Sequence, residues 1–172
     1  MEEIALRVEE RIAEAYRQVL EAARQGGLPF DGRQDVTLAR MPSGLGEVIL
    51  DSGGPTLLKE GVVALRGRGY GLLKILLKHG ALSNKPPEFR ITLEDLQALP
   101  AILREYDPAI IRLFDAEGRP LNWVYKVERK ERRIIYGVSR HDRKDGLNHV
   151  ATVFVEEPGQ PAIIPFSLHK KG

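Results

Sequence analysis

LNWVYKVERKERRIIYGVSR (121–140), followed by LNHVATVFV (147–155), is the stretch whose period decides the fold. Side chains repeat every second residue, as they do on a strand with one buried face. Trp123, Tyr125 and Val127 share one face. Ile134, Tyr136, Val138 and Arg140 share a face of the next strand. On the last, Asn148, Val150, Thr152 and Phe154 alternate with His149, Ala151 and Val153. AIIRLFD (109–115) and the turn AEGRP precede the run, and Asp145-Gly146 ends one of its connections. Four such strands with short turns predict an antiparallel meander. Both faces carry apolar groups, so helices should cover one side and other chain part of the second. His149 and Thr152 point to opposite faces of an ideal strand and share a site only where a bulge intervenes.

Upstream the period changes to that of helices. Thr92-Leu-Glu-Asp95 has the form of a capping box, with Asp where Glu or Gln is commoner. The helix it opens should end or bend near Pro100, add a turn to Tyr106, and close at Asp107-Pro108; FRI (89–91) reads as a short strand. In RGYGLLKILLKHG (68–80), Leu72, Ile75 and Leu76 form a helical stripe, and Lys74 and Lys78, four apart, share another face. Gly80 ends that helix. Basic residues in its last turn complement the helix dipole, which by itself accounts for Lys78 and His79. The preceding RGRGYG has two arginines beside three glycines. It reads either as loop geometry or as a phosphate cradle, but not as a P-loop, because no GK[ST] follows.

The N-terminal part is less decisive. Residues 2–25 form one amphipathic helix, with Ile4, Val8, Ile12, Ala15, Val19 and Ala23 along its apolar stripe and Gly26, Gly27 and Pro29 stopping it. VTLARM and EVIL read as short strands, separated by the turn PSGLG and followed by DSGGP, and residues 59–66, with Val62, Val63 and Leu65, are too short for periodicity to decide. In the tail, Pro158, Pro161 and Pro165 surround a piece, IIPFSLHK, that could add an edge strand. The resulting division is an N-terminal helix (1–27), a poorly defined strand and loop region (28–66), an α+β core (67–156) and a tail (157–172).

Composition bounds the chemistry. With no Cys there is no disulfide, zinc–thiolate site or thiol nucleophile. Four dispersed His without HExxH or related spacing argue against a metal site built by the protein. The opening residues lack the basic-then-apolar order of a signal peptide, and no apolar run reaches transmembrane length. The formal charge is only +2, but its distribution is uneven. Residues 59–90 hold seven Lys/Arg against two Glu, and residues 119–144 hold nine against three acids. Basic charge concentrated mid-chain makes either a phosphate-attracting face or a set of solvated turns.

The order GYGLLKILLKHG, ITLEDLQALPAILREYDPAII and a closing strand NHVATVFVEE resembles the phage-associated barnase/EndoU/colicin/RelE-like nuclease families over about residues 65–156. ITLEDLQALP carries most of the likeness. The resemblance implies a small α+β domain, with N-terminal helices packed on a four- or five-stranded antiparallel sheet. It implies a metal-independent, toxin-type endoribonuclease that needs no cofactor and acts on RNA, tRNA among the candidates. A cognate acidic immunity or antitoxin protein would accompany it. Its setting would be the cytoplasm of a host or target cell, reached with a phage or as a secreted toxin. By position His79 matches the second histidine of the family's helix, Lys74 stands where the first is usual, and Thr152 matches the closing-strand hydroxyl.

Metal-free RNA cleavage drives the 2′-hydroxyl onto the adjacent phosphorus. It needs a group to move protons and cations to neutralise the phosphorane. The set that fits is His79 as acid–base group, Lys74 and Arg140 as cations, and Thr152 and Tyr136 as orienting hydroxyls. Arg66, Arg68, Lys78, Arg129, Lys130 and Arg132 would track the backbone. Trp123 and Tyr125 read as core packing or as base-stacking platforms. His141 and His169 have no clear role, although His141-Asp142 could pair. The alternative is a non-catalytic nucleic-acid-binding or phage structural module that keeps the fold.

Overall fold

The computed structural model describes residues 7–25, 35–41, 45–52, 55–57, 63–65, 71–140, 146–159 and 164–170. Helix α1 (Val8–Gln25) comes first, then strands β1 (Val36–Arg40), β2 (Glu47–Leu50), β3 (Pro55–Leu57) and β4 (Val63–Leu65). Helix α2 (Leu72–His79), a 3₁₀ turn at Pro87–Phe89, and helices α3 (Leu93–Gln97) and α4 (Leu99–Glu105) follow. The chain closes with β5 (Ile110–Phe114), β6 (Pro120–Arg129), β7 (Arg132–Ser139) and β8 (Asn148–Val155). FRI therefore forms no strand: Pro86 and Pro87 start a 3₁₀ turn through Phe89 instead. No helix among the described residues is long and apolar enough to cross a membrane.

The fold is α+β, but the sheet is not the four- or five-stranded antiparallel one expected. It has six strands in the order β1-β2-β8-β7-β6-β5, and β2 runs parallel to β8 through Val48↔Asn148 and Ile49↔His149. The meander β5–β8 pairs antiparallel throughout. The short EVIL strand completes the sheet because its Val48 and Leu50 bury fully beside Val150 in one core. That pairing joins residues a hundred positions apart, so no local period announces it.

One face of the sheet presents Trp123, Tyr125, Val127, Ile134, Tyr136, Val138, Val150, Val153 and Val155 to the four helices. From α1 it receives Ile12, Ala15 and Val19, all essentially buried. Along β8 the core residues step from Val150 to Val153, three positions rather than two. The register shift opposite Gly137/Val138 inserts Ala151 as a bulge. That bulge puts His149, Thr152 and Phe154 on the other face together.

The capping box forms as read: Asp95 N–H donates to Thr92 Oγ1 (3.3 Å) and Thr92 N–H to Asp95 Oδ2 (2.9 Å). The helix breaks at Ala98, where α3 passes into α4 with Pro100 in its first turn. The described part of the tail, residues 164–170, adds no strand. Instead Ser167 N–H donates to Lys126 O (2.9 Å), and Lys126 N–H donates to Ser167 Oγ (3.1 Å). The tail thus follows the edge of β6 beyond the end of β5, held also by a bridge between Tyr106 and His169.

Candidate nucleic-acid interface

Helix α2 is set by its apolar half. Leu72, Leu73, Ile75 and Leu76 are buried, and the N–H groups of Leu72 and Leu73 donate to Asp51 O (2.7 Å) and Ser52 O (3.2 Å) just past β2. The helix therefore continues from the end of β2 alongside β8, whose second half has no strand partner on that side among the described residues. Lys74 serves this edge directly, donating from Nζ to Ala151 O at 3.1 Å. Burial, then the nearby Lys78 charge, lowers its pKa. Lys78 itself is exposed and makes no ion pair with any described residue.

His79 closes the helix with its ring 5.6 Å from that of Phe154, centroid to centroid. Lys85 Nζ stands 3.0 Å from Nδ1. An ammonium has only protons to offer, so Nδ1 is the acceptor and the neutral ring carries its hydrogen on Nε2. Burial, followed by the charges of Lys85, Lys74 and Lys78, pushes the imidazole down to about 4. Among the described residues Glu157 is the carboxylate paired with this group, 3.9 Å from Lys85. The site is thus a neutral imidazole touched by Lys85, with Lys74 and Lys78 near enough for their charges to bear on it.

Of the other residues expected at the site, Thr152 shares the β8 face on which the His79 ring packs, whereas Tyr136 and Arg140 lie elsewhere. Thr152 lies on the same strand face as Phe154, with its methyl packed above Gly137. Tyr136 is fully buried and donates its hydroxyl to Asp95 O at 2.7 Å, so it holds α3 to the sheet and presents nothing to a substrate. Burial, together with the Asp95 carboxylate, drives that phenol upward. Arg140 donates to Leu45 O, beyond the opposite end of the strand. Phe154 pairs with Ile135, five residues before Arg140. At the usual strand rise that separation is roughly 16 Å, so the guanidinium does not join His79 in one cleft.

The basic turn is a further correction. Arg132 grips both oxygens of Asp95 (2.7 and 2.9 Å), Arg129 adds 2.8 Å to Oδ1, and Lys130 pairs with Glu94. Arg129 and Arg132 share one buried carboxylate and Lys130 pairs with Glu94 at the surface, so the turn clamps α3 onto the β6–β7 hairpin instead of standing free to track a backbone. Trp123 and Tyr125 lie in the core and offer no stacking surface. Arg66, Arg68 and the RGRGYG segment before Gly71, with His141 and Asp142, lie outside the described residues. Among the described residues no three His, Asp or Glu side chains stand close enough to hold a metal.

Sequence reasoning missed Lys85, which only the return of the 81–90 loop brings to His79. It also missed the buried pair of His149 and Asp51, with Nδ1 2.6 Å from Oδ2 across β8 and the end of β2. Neither contact leaves a spacing signal, since six and ninety-eight residues separate the partners. Comparison of the chain with protein-family models, curated proteins and solved structures finds no match.

Proposed function

We propose that this chain is an RNA-binding module that holds a phosphate backbone along the α2–β8 edge without cleaving it. Three ammonium groups, Lys74, Lys78 and Lys85, lie near His79 with one paired carboxylate, Glu157, among the described residues, an arrangement suited to anionic oxygens. The observation that carries the binding reading over catalysis is the state of His79. Pushed down to about 4, it is not an imidazolium at neutral pH and has no acidic proton to give a leaving 5′-oxygen, and its basic nitrogen already accepts from Lys85. An acidic inhibitor protein, of the kind the resemblance implies, would compete for the same ammonium groups.

RNA cleavage is the second reading, favoured by the placement of His79 and Lys74 along one edge of β8. A phosphate seated among the lysines would cancel the charges that depress the imidazole and draw Lys85 off Nδ1. His79 would then become basic enough to take the 2′-hydroxyl proton. Total RNA incubated with the protein in EDTA separates the two. Retention in a gel shift without new fragments supports binding; fragments that vanish in His79→Ala support cleavage. Lys78→Ala and Lys85→Ala should each weaken binding and lower the salt slope by about 0.7, the single-strand value per phosphate contact. Binding indifferent to both substitutions would remove the proposed edge.

A further inference from the structure

Among the described residues the large apolar side chains left exposed are Ile111, Phe114, Phe166 and Leu168. They are not scattered. Ile111 and Phe114 lie on β5, the last strand of the sheet, and Leu168 O accepts from Asp107 N–H just before that strand begins. Phe166 precedes Ser167, whose bonds to Lys126 carry the tail along β6 where β5 leaves it. Single surface hydrophobics are ordinary, but a group gathered at one edge marks an interaction surface.

The backbone of that edge is open as well. Ala109 N–H donates to Val124 O (2.8 Å) and Asp115 N–H to Arg119 O (3.0 Å), so the odd-numbered residues of β5 turn their amides towards β6. By the alternation of a strand, Ile110, Arg112 and Phe114 direct theirs outward, and no described strand pairs with them there. The opposite edge is built differently: β1 carries a bulge between Thr37 and Ala39, a device that discourages further pairing. β5 runs beside β6 without one and has neither Pro nor Lys between 110 and 114.

We infer that a second copy of the chain occupies this edge, its β5 antiparallel to the first, joining two six-stranded sheets across a twofold axis. Such an axis keeps every side chain on its own face of the sheet, so it passes through a single residue position. At Arg112 it would set two guanidinium groups directly opposite each other, which excludes that register. Centred on 113, the pairing runs off the strand into the 115–119 turn. At Ile111 the two exposed Ile111 side chains meet, and each Arg112 lies beside Ile110 of the other copy. Ile110 and Arg112 then exchange backbone N–H···O=C bonds, and Phe114 N–H reaches the Pro108 carbonyl. At the ends of the ladder, Asp115 approaches Asp107 of the second copy with its charge already met by Arg119. A strand pair this short sits at the low end of interface sizes, below about 1,200 Å², so the dimer is concentration-dependent. It leaves the lysine edge accessible, because β8 lies three strands from β5.

Sedimentation equilibrium of the full chain tests this, with monomer and dimer exchanging between micromolar and millimolar chain. Ile111→Lys faces two ammonium groups across the axis and should raise the dimer dissociation constant about tenfold or more. Arg112→Pro removes an amide that points outward, so it should do the same while far-ultraviolet circular dichroism stays unchanged. Thr37→Lys, exposed on the bulged β1 edge, should leave the constant as it is. The chain has no Cys, so Ile111→Cys carries a single thiol, and oxidation should join it to its counterpart as a covalent dimer on a non-reducing gel. A chain that stays monomeric throughout the range overturns the second copy as occupant and leaves the edge to an extended segment of another protein. A dimer indifferent to Ile111→Lys, or one that Ile111→Cys does not cross-link, overturns the pairing through β5.

Discussion

His79 is the residue on which the sequence and the structure say different things about the same side chain. The sequence puts an imidazole at the end of a basic helix; the structure surrounds it with ammonium groups and half buries it. An unfolded imidazole titrates at 6.5 and the folded one near 4, so between those values the folded chain binds fewer protons. The stabilisation is therefore complete above pH 6.5 and is lost as the pH falls towards 4. With solvent screening, we expect about 1–2 kcal/mol of lost stability across that window. Urea denaturation at pH 7 and 4.5 should show this loss, and His79→Gln should reduce it. Asp95 carries a larger share of the fold: it is fully buried and anchors Arg129, Arg132 and the amide of Thr92. Asp95→Ala leaves two guanidinium groups without their carboxylate and should cost about 3 kcal/mol in a denaturant titration. The capping box was legible from Thr92 and Asp95 themselves. Their two arginine partners, more than thirty positions away, were not.

At the scale of elements, the hairpin joining β6 and β7 turns on only two residues. Lys130 and Glu131 have φ of 50° and 64°, the left-handed values of a type I′ turn that favours Asn-Gly. Glu131→Gly should raise stability by about 1 kcal/mol, read as a higher urea midpoint. The β7–β8 pair is tuned by its bulge. A Cβ at position 137 would lie 3.0 Å from the Thr152 methyl, so Gly137→Ala should cost about 1–2 kcal/mol. Thr152→Ser removes that methyl, and the double variant should recover most of the loss in the same assay. The alternation in LNHVATVFV predicted a strand correctly. It could not place the extra residue at Ala151, because a bulge is selected by the partner strand and not by the bulged sequence.

Across the whole molecule, the tail closes what the meander leaves open. Lys126 donates from Nζ to Glu156 (2.9 Å) and to Ile164 O (3.1 Å), with the Phe166 ring 4.9 Å away. Ending the chain at residue 163 removes that cover and the Ser167 bonds to the β6 backbone. We expect the truncated protein to lose about 2–3 kcal/mol in urea denaturation, several times the effect of removing residues 171–172 alone. By itself the sequence determined the meander, the capped helix pair, the stripe of α1 and the α+β class, because periodicity and caps are written within one segment. Only the tertiary structure decided that EVIL lies parallel beside β8, that Arg129 and Arg132 turn inward to Asp95, and that Lys85 rather than Arg140 accompanies His79. Those outcomes depend on which distant groups can satisfy a buried charge or an open strand edge, and that is settled when the elements pack.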